Sequence, residues 1–452
     1  MHDLSTTIVA VATPAGRGGI GCVRISGSDA FSIANALFRP RGVAGGSRDR
    51  SPRFGTFLDR DGRDVDHGYL VAFSSGRAYT GEPTAELWSH GSPPVLEALT
   101  RAAVAQGAVL AGPGEFTYRA LRHGRLDLTR AEAIRDLISA RTIYQARVAF
   151  RQVEGALARR LAPVREALIE LLAAGEAAIE FADEAETHLE RSALAGGVHA
   201  ALGQAQALLA EARRGRIVRG GARVALSGLT SVGKSSLFNC LLGKNRAIVS
   251  AVAGTTRDTL EETFDLEGIP VTVIDTAGVR PPSDDVEAEG VRRAREAAGE
   301  ADLVLLVLDA GRPLRFEERT ALAERTTSAV PSIVVANKID LADMGTTETT
   351  WPEAIPVSAR TGVGLPSLRR AMHAALCGPG PFDDPVLTND RHVAALEAAV
   401  VALGRAAEAM PLGDEIVLEE VRTALGALGE LTGELVNDDL YDRIFSTYCI
   451  GK

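Results

Sequence analysis

GLTSVGKSS, at Gly228–Ser236, decides the fold class of this chain. It matches the Walker A pattern and lies between an apolar strand, Ala222–Ser227, and a helix predicted over Ser236–Leu242. That strand–loop–helix setting is the one the motif requires. Gly228 and Gly233 let the backbone curl so that its N–H groups face phosphates. Lys234 sets a point charge against the β- and γ-phosphates, and the Ser235 hydroxyl is a Mg²⁺ ligand. With Ser231, Val232 and Ser236 in the same loop, a phosphate sits at a helix N-terminus.

Three more strings follow in order: GTTRD at Gly254–Asp258, DTAG at Asp275–Gly278 and NKID at Asn337–Asp340. NKID comes after the predicted strand Ser332–Ala336, and there the Asp340 carboxylate can accept two N–H donors from guanine. Adenine does not offer that pair. Thr256 is placed to reach Mg²⁺ and report the γ-phosphate. Asp275 acts through a Mg²⁺-bound water, and the Gly278 amide senses the γ-phosphate. One Walker A match fits any NTPase; the four strings in this order specify a guanine-nucleotide site in an α/β P-loop GTPase domain. Ras-type GTPases place a water-orienting Gln directly after this Gly, and here that position is Val279. The segment that follows, RPPSDDVEAEG, reads from its residues as a solvated acidic switch loop.

Composition agrees. Only Lys234, Lys244, Lys338 and Lys452 are lysines among 49 basic residues, and two of the four lie in nucleotide motifs. A chain that otherwise uses Arg keeps Lys where a compact ammonium is needed. The 452 residues fit two to four domains, and the net charge of −10 argues against a blanket nucleic-acid coat. Cys22, Cys240, Cys377 and Cys449 are scattered, with no CxxC pair, which points to a reducing compartment and no zinc site. No long apolar run or lipidation signal occurs, so a soluble, cytoplasmic protein without membrane association is expected.

The first part reads as β-rich: strands at Thr7–Val11, Gly21–Ile25, Gly68–Phe73 and Ala85–Ser89, a helix at Pro93–Gln106, and a loop with short strands over Arg39–Arg63. PGEF at Pro113–Phe116 is expected to close the unit. Apolar residues then recur at three and four positions through Ile134, Leu161, Leu168 and Leu172, the period of long helices. After the GTPase region, helices return at His392–Met410, Glu415–Leu428 and Asp438–Thr447, the last capped by Asn437. Neither helical block alone has partners enough to bury its stripe. One helical domain made of both, with the GTPase domain inserted between them, is the economical reading.

At this point the chain resembles the MnmE (TrmE) family of tRNA-modification GTPases. The match runs end to end through TPAGRGGIGCVRISG at Thr13–Gly27, TGE at Thr80–Glu82, PGEFTYRALRHGRLDLTRAEAI at Pro113–Ile134, the GTPase motifs, and the terminal YCIGK after LTGELVNDDLYDRIFST. The resemblance implies an α+β folate-binding and dimerisation domain at 1–123, a helical domain at 124–216 and 379–452, and the GTPase domain at 217–378. It implies a homodimer that joins the flavoprotein MnmG (GidA) in a heterotetramer and adds an aminomethyl or carboxymethylaminomethyl group to carbon 5 of the tRNA wobble uridine. It places the water-orienting glutamate on Glu287, beside Lys234 and Thr256 as catalytic groups.

The resemblance also implies K⁺ within the loop Ser250–Thr255, with Ser250, Val252 and Thr255 as ligands and Ala251, Ala253 and Gly254 in the wrap. The family usually has Asn where this chain has Ser231, a shorter ligand for the same ion. Thr276 and Ala277 of DTAG and the loop Ser358, Ala359 and Arg360 join Asn337, Lys338 and Asp340 around the nucleotide. A 5-formyltetrahydrofolate or related tetrahydrofolate would meet Arg24, Glu86, Arg125 and Lys452, where Glu86 offers a carboxylate to the pterin edge. Cys449, inside YCIGK, reads as a small buried residue or as a group near the modification site. A ribosome-assembly or RNA-chaperone GTPase, resembling Era or Der, is the competing reading. It would be expected to bring a KH segment or a second Walker A, and this chain shows neither. Folate binding without catalysis does not suit an intact set of switch motifs.

Overall fold

The computed structural model describes residues 3–41, 49–180, 191–243, 262–275, 301–328, 330–341, 353–378, 386–434 and 438–451. The chain divides into two compact units: Met1–Arg135 with Val153–Ala158 and Gly426–Lys452, and Asp136–Gln152 with Arg159–Leu425.

The first unit is built on a seven-stranded sheet of β1 (Ile8–Val11), β2 (Gly18–Ser26), β3 (Phe38–Pro40), β4 (Arg53–Leu58), β5 (Asp64–Phe73), β6 (Thr84–Gly91) and β7 (Val109–Leu110), in the order β3-β4-β5-β6-β2-β1-β7. Every pairing is antiparallel except β1 with β7. In β6 the period of two is plain: Ala85, Leu87 and Ser89 are buried, while Glu86, Trp88 and His90 occupy the other face. The buried face, with Val9, Val23, Ile25, Phe57, Leu70 and Leu87, packs on the helices Ala30–Ala36 and Pro93–Ala105 through Ile33, Leu96 and Leu99.

One expectation holds in this unit and another needs correction. Arg39–Arg63 carries short strands as expected: β3 ends within it at Pro40, and β4 runs through it for six residues and buries Phe57 completely. The Gly-, Arg- and Asp-rich flanks enclose a short alternation that the pairing with β5 supports. PGEF, by contrast, does not close the unit. Gly114, in the left-handed region at φ 66°, precedes the helix Glu115–Arg122. That helix buries an ion pair, Arg119 to Glu115 at 2.9 Å, and Arg119 also reaches Glu82 at 3.2 Å. A buried charge of this kind holds only because its donors are used; the same guanidinium donates to the carbonyls of Thr6 and Asp3.

The second unit holds a six-stranded sheet of β8 (Ala222–Ser227), β9 (Glu262–Leu266), β10 (Ile269–Asp275), β11 (Leu303–Asp309), β12 (Ser332–Asn337) and β13 (Ile355–Pro356), ordered β13-β12-β11-β8-β10-β9. All pairings are parallel except the β9–β10 hairpin. Strands covered on both faces read as continuous apolar runs, as LVLLVLD of β11 does. The helices Lys234–Leu242 and Leu365–Cys377 bury Leu237, Leu241, Leu368, Met372 and Leu376 against Val224, Leu226, Val273, Leu305 and Val307. Elsewhere in this unit the helix Arg191–Leu209 packs along Asp390–Glu408, so helical segments before and after the sheet meet. Among the described residues no helix is long and apolar enough to cross a membrane.

Candidate functional site

In a parallel sheet, ligands bind beyond the carboxyl ends of the strands, where the order reverses. β8 ends at Ser227, β11 at Asp309, β12 at Asn337 and β13 at Pro356, and the predicted loops leave from these ends. The loop after β8 curls as expected: Gly228 has φ 141° and Gly233 has φ 95°. A Cβ on Gly233 would stand 2.4 Å from the Asn337 amide nitrogen, so no other residue fits there. The helix starts at Lys234, two residues ahead of the expected Ser236, because Gly233 already caps it. Lys234 is buried, and its Nζ donates to the carbonyls of Gly228 and Leu229 at 2.8 Å each. The ammonium is thereby held across the mouth of the loop. Ser235 and Ser236 are exposed in the first helical turn. Ser231 is exposed and left-handed at φ 64°.

Asn337 is almost wholly buried and ties three loops together. Its Nδ2 donates to the Val232 carbonyl at 2.9 Å, and its Oδ1 accepts from the Ala359 N–H at 3.1 Å. Ser358, fully buried, donates to Asp340 Oδ1 at 2.7 Å and accepts from the Thr361 N–H at 3.1 Å. One oxygen of the exposed Asp340 is therefore fixed by a side chain, which aims the carboxylate edge outward. Arg360 is exposed. Lys338, at φ 66°, pairs with Asp309 Oδ2 at 2.7 Å. Sequence reasoning missed Asp309. Its one signal was an acid closing an apolar strand.

The structure thus brings together Ser231, Val232, Gly233, Lys234, Ser235, Asn337, Lys338, Asp340, Ser358 and Ala359. Ser250, Ala251, Val252, Ala253, Gly254, Thr255, Thr256, Thr276, Ala277, Gly278, Glu287 and Lys452 lie outside the described residues, as does the proposed cap Asn437. Asp275 is described as the last residue of β10.

In the first unit Arg24 and Glu86 are cross-strand partners on β2 and β6, joined Nε to Oε1 at 2.9 Å. Trp88 Nε1 donates to the other Glu86 oxygen at 3.1 Å, and Arg24 Nη1 donates to the Gly451 carbonyl at 3.3 Å. Arg24 also stands over the Phe116 ring, 5.6 Å from its centroid. The residue preceding Lys452 is therefore at this cluster. Arg125 is exposed, its stem near Gly81. Burial, with the Glu86 charge adding to it, pushes the Cys22 thiol in this region up to about 12.

A family model described as the MnmE helical domain matches residues 128–449, and one described as the GTP-binding protein TrmE N-terminus matches residues 7–125. The tRNA modification GTPase MnmE of Chloroflexus aurantiacus is 42% identical over 458 residues, covering 99% of this chain and 100% of that protein. The protein of the same name from Azoarcus sp. is 43% identical over 98% of each chain, and that from Aquifex aeolicus 40% identical over 98% of this chain and 99% of its own. Among solved structures, the G domain of the T. maritima FeoB iron transporter aligns at 28% identity over 34% of this chain and 98% of that one, with a TM-score of 0.27. On the full-length matches, the chain belongs to the family of the tRNA modification GTPase MnmE.

Proposed function

We propose that the chain is the GTP-hydrolysing component of a tRNA wobble-uridine modification enzyme, working with a flavoprotein partner to add an aminomethyl or carboxymethylaminomethyl group at carbon 5. The observation that carries the guanine-nucleotide part is the Asp340 carboxylate, fixed through one oxygen by buried Ser358 on a frame that Asn337 ties to the phosphate loop. The tRNA part rests on family membership.

The described residues of the phosphate loop suit a nucleotide. The backbone curl at Gly228 and Gly233 leaves a cradle for phosphates with Lys234 across it. Mg²⁺, held by Ser235 and Thr256, neutralises phosphate charge when bound. K⁺, held by Ser231 and the loop Ser250–Thr255, supplies positive charge where an arginine finger otherwise would. Glu287 orients the attacking water through a second water. A tetrahydrofolate would lie at Arg24, Glu86, Arg125 and Lys452, where Glu86 is already held by Arg24 and Trp88 and so presents a fixed carboxylate. The domain scheme is 1–123 for folate binding and dimerisation, 217–378 for the GTPase domain, and 124–216 with 379–452 for one helical domain around it. The packing of Arg191–Leu209 on Asp390–Glu408 supports that insertion. The working form is a cytoplasmic homodimer.

Nucleoside mass spectrometry of tRNA from a strain lacking the gene tests the reading. Loss of the carbon-5 group at the wobble uridine is expected; unchanged wobble uridines would overturn it. In vitro, the purified chain should hydrolyse GTP and leave ATP untouched.

A further inference from the structure

We propose that Asp309 is a positioning residue of the guanine site, fixing the Lys338 ammonium so that the lysine stem forms a rail along which the base lies. This rests on the guanine-nucleotide reading above and adds a residue to it. Lys338 is next but one to Asp340, which takes the edge of the base. On its other side its Cε comes within 3.9 Å of where a Cβ on Gly233 would stand, so the stem reaches the point where the phosphate loop enters its helix. A purine spanning from that loop to Asp340 must pass this stem. A free lysine side chain has many rotamers open to it and would not hold such a course unaided.

Asp309 removes that freedom. It is in register with Asn337 on the adjacent strand, and the Ala310 N–H donates to the Asn337 carbonyl at 2.8 Å, so the two strand ends are fixed to one another. Its carboxylate is divided: Oδ1 accepts the Gly311 N–H at 3.0 Å, and Oδ2 takes the Lys338 ammonium at 2.7 Å. Arg312 stands 4.0 Å from Oδ2, but its guanidinium is held by both oxygens of Glu318 at 2.7 and 2.8 Å. Lys338 is left as the close cationic partner of Asp309 among the described residues.

Two substitutions separate this role from that of a plain strand-end turn. Asp309→Asn keeps an oxygen for the Gly311 N–H and removes the charge. Asp309→Glu keeps the charge and loses the fitted turn. With a fluorescent GDP as probe, Asp309→Asn should raise Kd about tenfold and raise KM for GTP alike, while kcat stays within about twofold, the pattern of lost uniform binding. Asp309→Glu should stay within about threefold of wild type. In a Lys338→Met background, Asp309→Asn should add less than about twofold, since partners in one contact are not additive. Wild-type GDP affinity in Asp309→Asn, or the full loss recurring in the Lys338→Met background, overturns the proposal. Greater harm from Glu than from Asn would reassign Asp309 to the turn. A wild-type chain that binds no GDP would instead bring down the guanine-site reading itself, and this role with it.

Discussion

Ser231 holds a left-handed backbone at φ 64°, a region that Asn visits several-fold more readily than other non-glycine residues and that β-branched residues almost never enter. Ser231→Val should therefore cost about 1–3 kcal/mol, and Ser231→Asn should match or exceed wild type, as read from thermal melts without nucleotide. The same exchange to Asn lengthens the proposed K⁺ ligand, so K⁺ stimulation of hydrolysis should tighten in it. Asp340→Asn removes the doubly accepting carboxylate and should weaken GTP binding while admitting xanthosine nucleotides; unaltered GTP affinity by titration would refute the base-reading role. Glu287→Ala should slow single-turnover hydrolysis about 10²–10³-fold with nucleotide affinity held, since an oriented water matters only in the transition state. A rate within fivefold of wild type would move that role elsewhere. Ser231 and Asp340 were legible because each lies in a short string whose chemistry is local, whereas Glu287 was placed by the family resemblance, its own segment reading as a solvated acidic loop. Asp309 was not, because its partner Lys338 is 29 positions away and only strand order brings them together.

The β9–β10 hairpin begins shortly after GTTRD and ends on the first residue of DTAG, so one element joins the two switch motifs. Its far turn is held on two sides. Thr142 Oγ1 donates to the Gly268 carbonyl at 2.5 Å, and Gly268, at φ 99°, leaves no room for a side chain because a Cβ would stand 2.6 Å from that of Tyr144. From the other side Arg369 donates to the Asp265 carbonyl, lies over the Phe264 ring, and reaches the Leu241 carbonyl at the end of the P-loop helix. Behind Thr142, buried Gln145 accepts from the Arg141 and Thr142 N–H groups and donates to the carbonyls of Val218 and Arg219. Gly268→Ala meets both a steric and a conformational penalty and should lower stability by about 2–3 kcal/mol, visible as a reduced denaturant midpoint at constant m. No change in midpoint would mean that the turn yields. Long helices and the central strand β8 were readable from period and apolar runs. This turn was not, since its fit depends on Tyr144, more than a hundred positions upstream.

At the scale of the whole molecule, the four thiols divide by burial. Cys449 is exposed, Cys240 is partly covered, and Cys22 and Cys377 are buried. Burial raises Cys22 to about 12 and Cys377 to about 11, from 9.0 for both. A neutral buried thiol favours the folded state fully below pH 9, and that contribution drains away as pH rises through the folded values. Stability should accordingly fall from about pH 9 upward, and iodoacetamide at pH 8 should label Cys449 while sparing Cys22 and Cys377, as peptide mass spectrometry would show. Rapid labelling of Cys22 would contradict its burial. In the first unit, the cluster of Tyr118, Leu128 and Ala131 is completed by Tyr441, Ile444, Phe445 and Tyr448, and the Tyr448 hydroxyl donates to the Ala131 carbonyl across 317 residues of sequence. Pro113 pairs with Ile450, and Arg24 reaches Gly451. Ribosomes deliver a chain from its amino end, so this apolar surface is made early and stays uncovered until residues 441–448 have emerged. Through that interval it is a surface for holding factors or for mispairing with a neighbouring nascent chain. A ribosome arrested before residue 438 should therefore carry a first unit that proteases cut readily, and one arrested in a C-terminal linker added to bring residue 451 out of the exit tunnel should carry a resistant one.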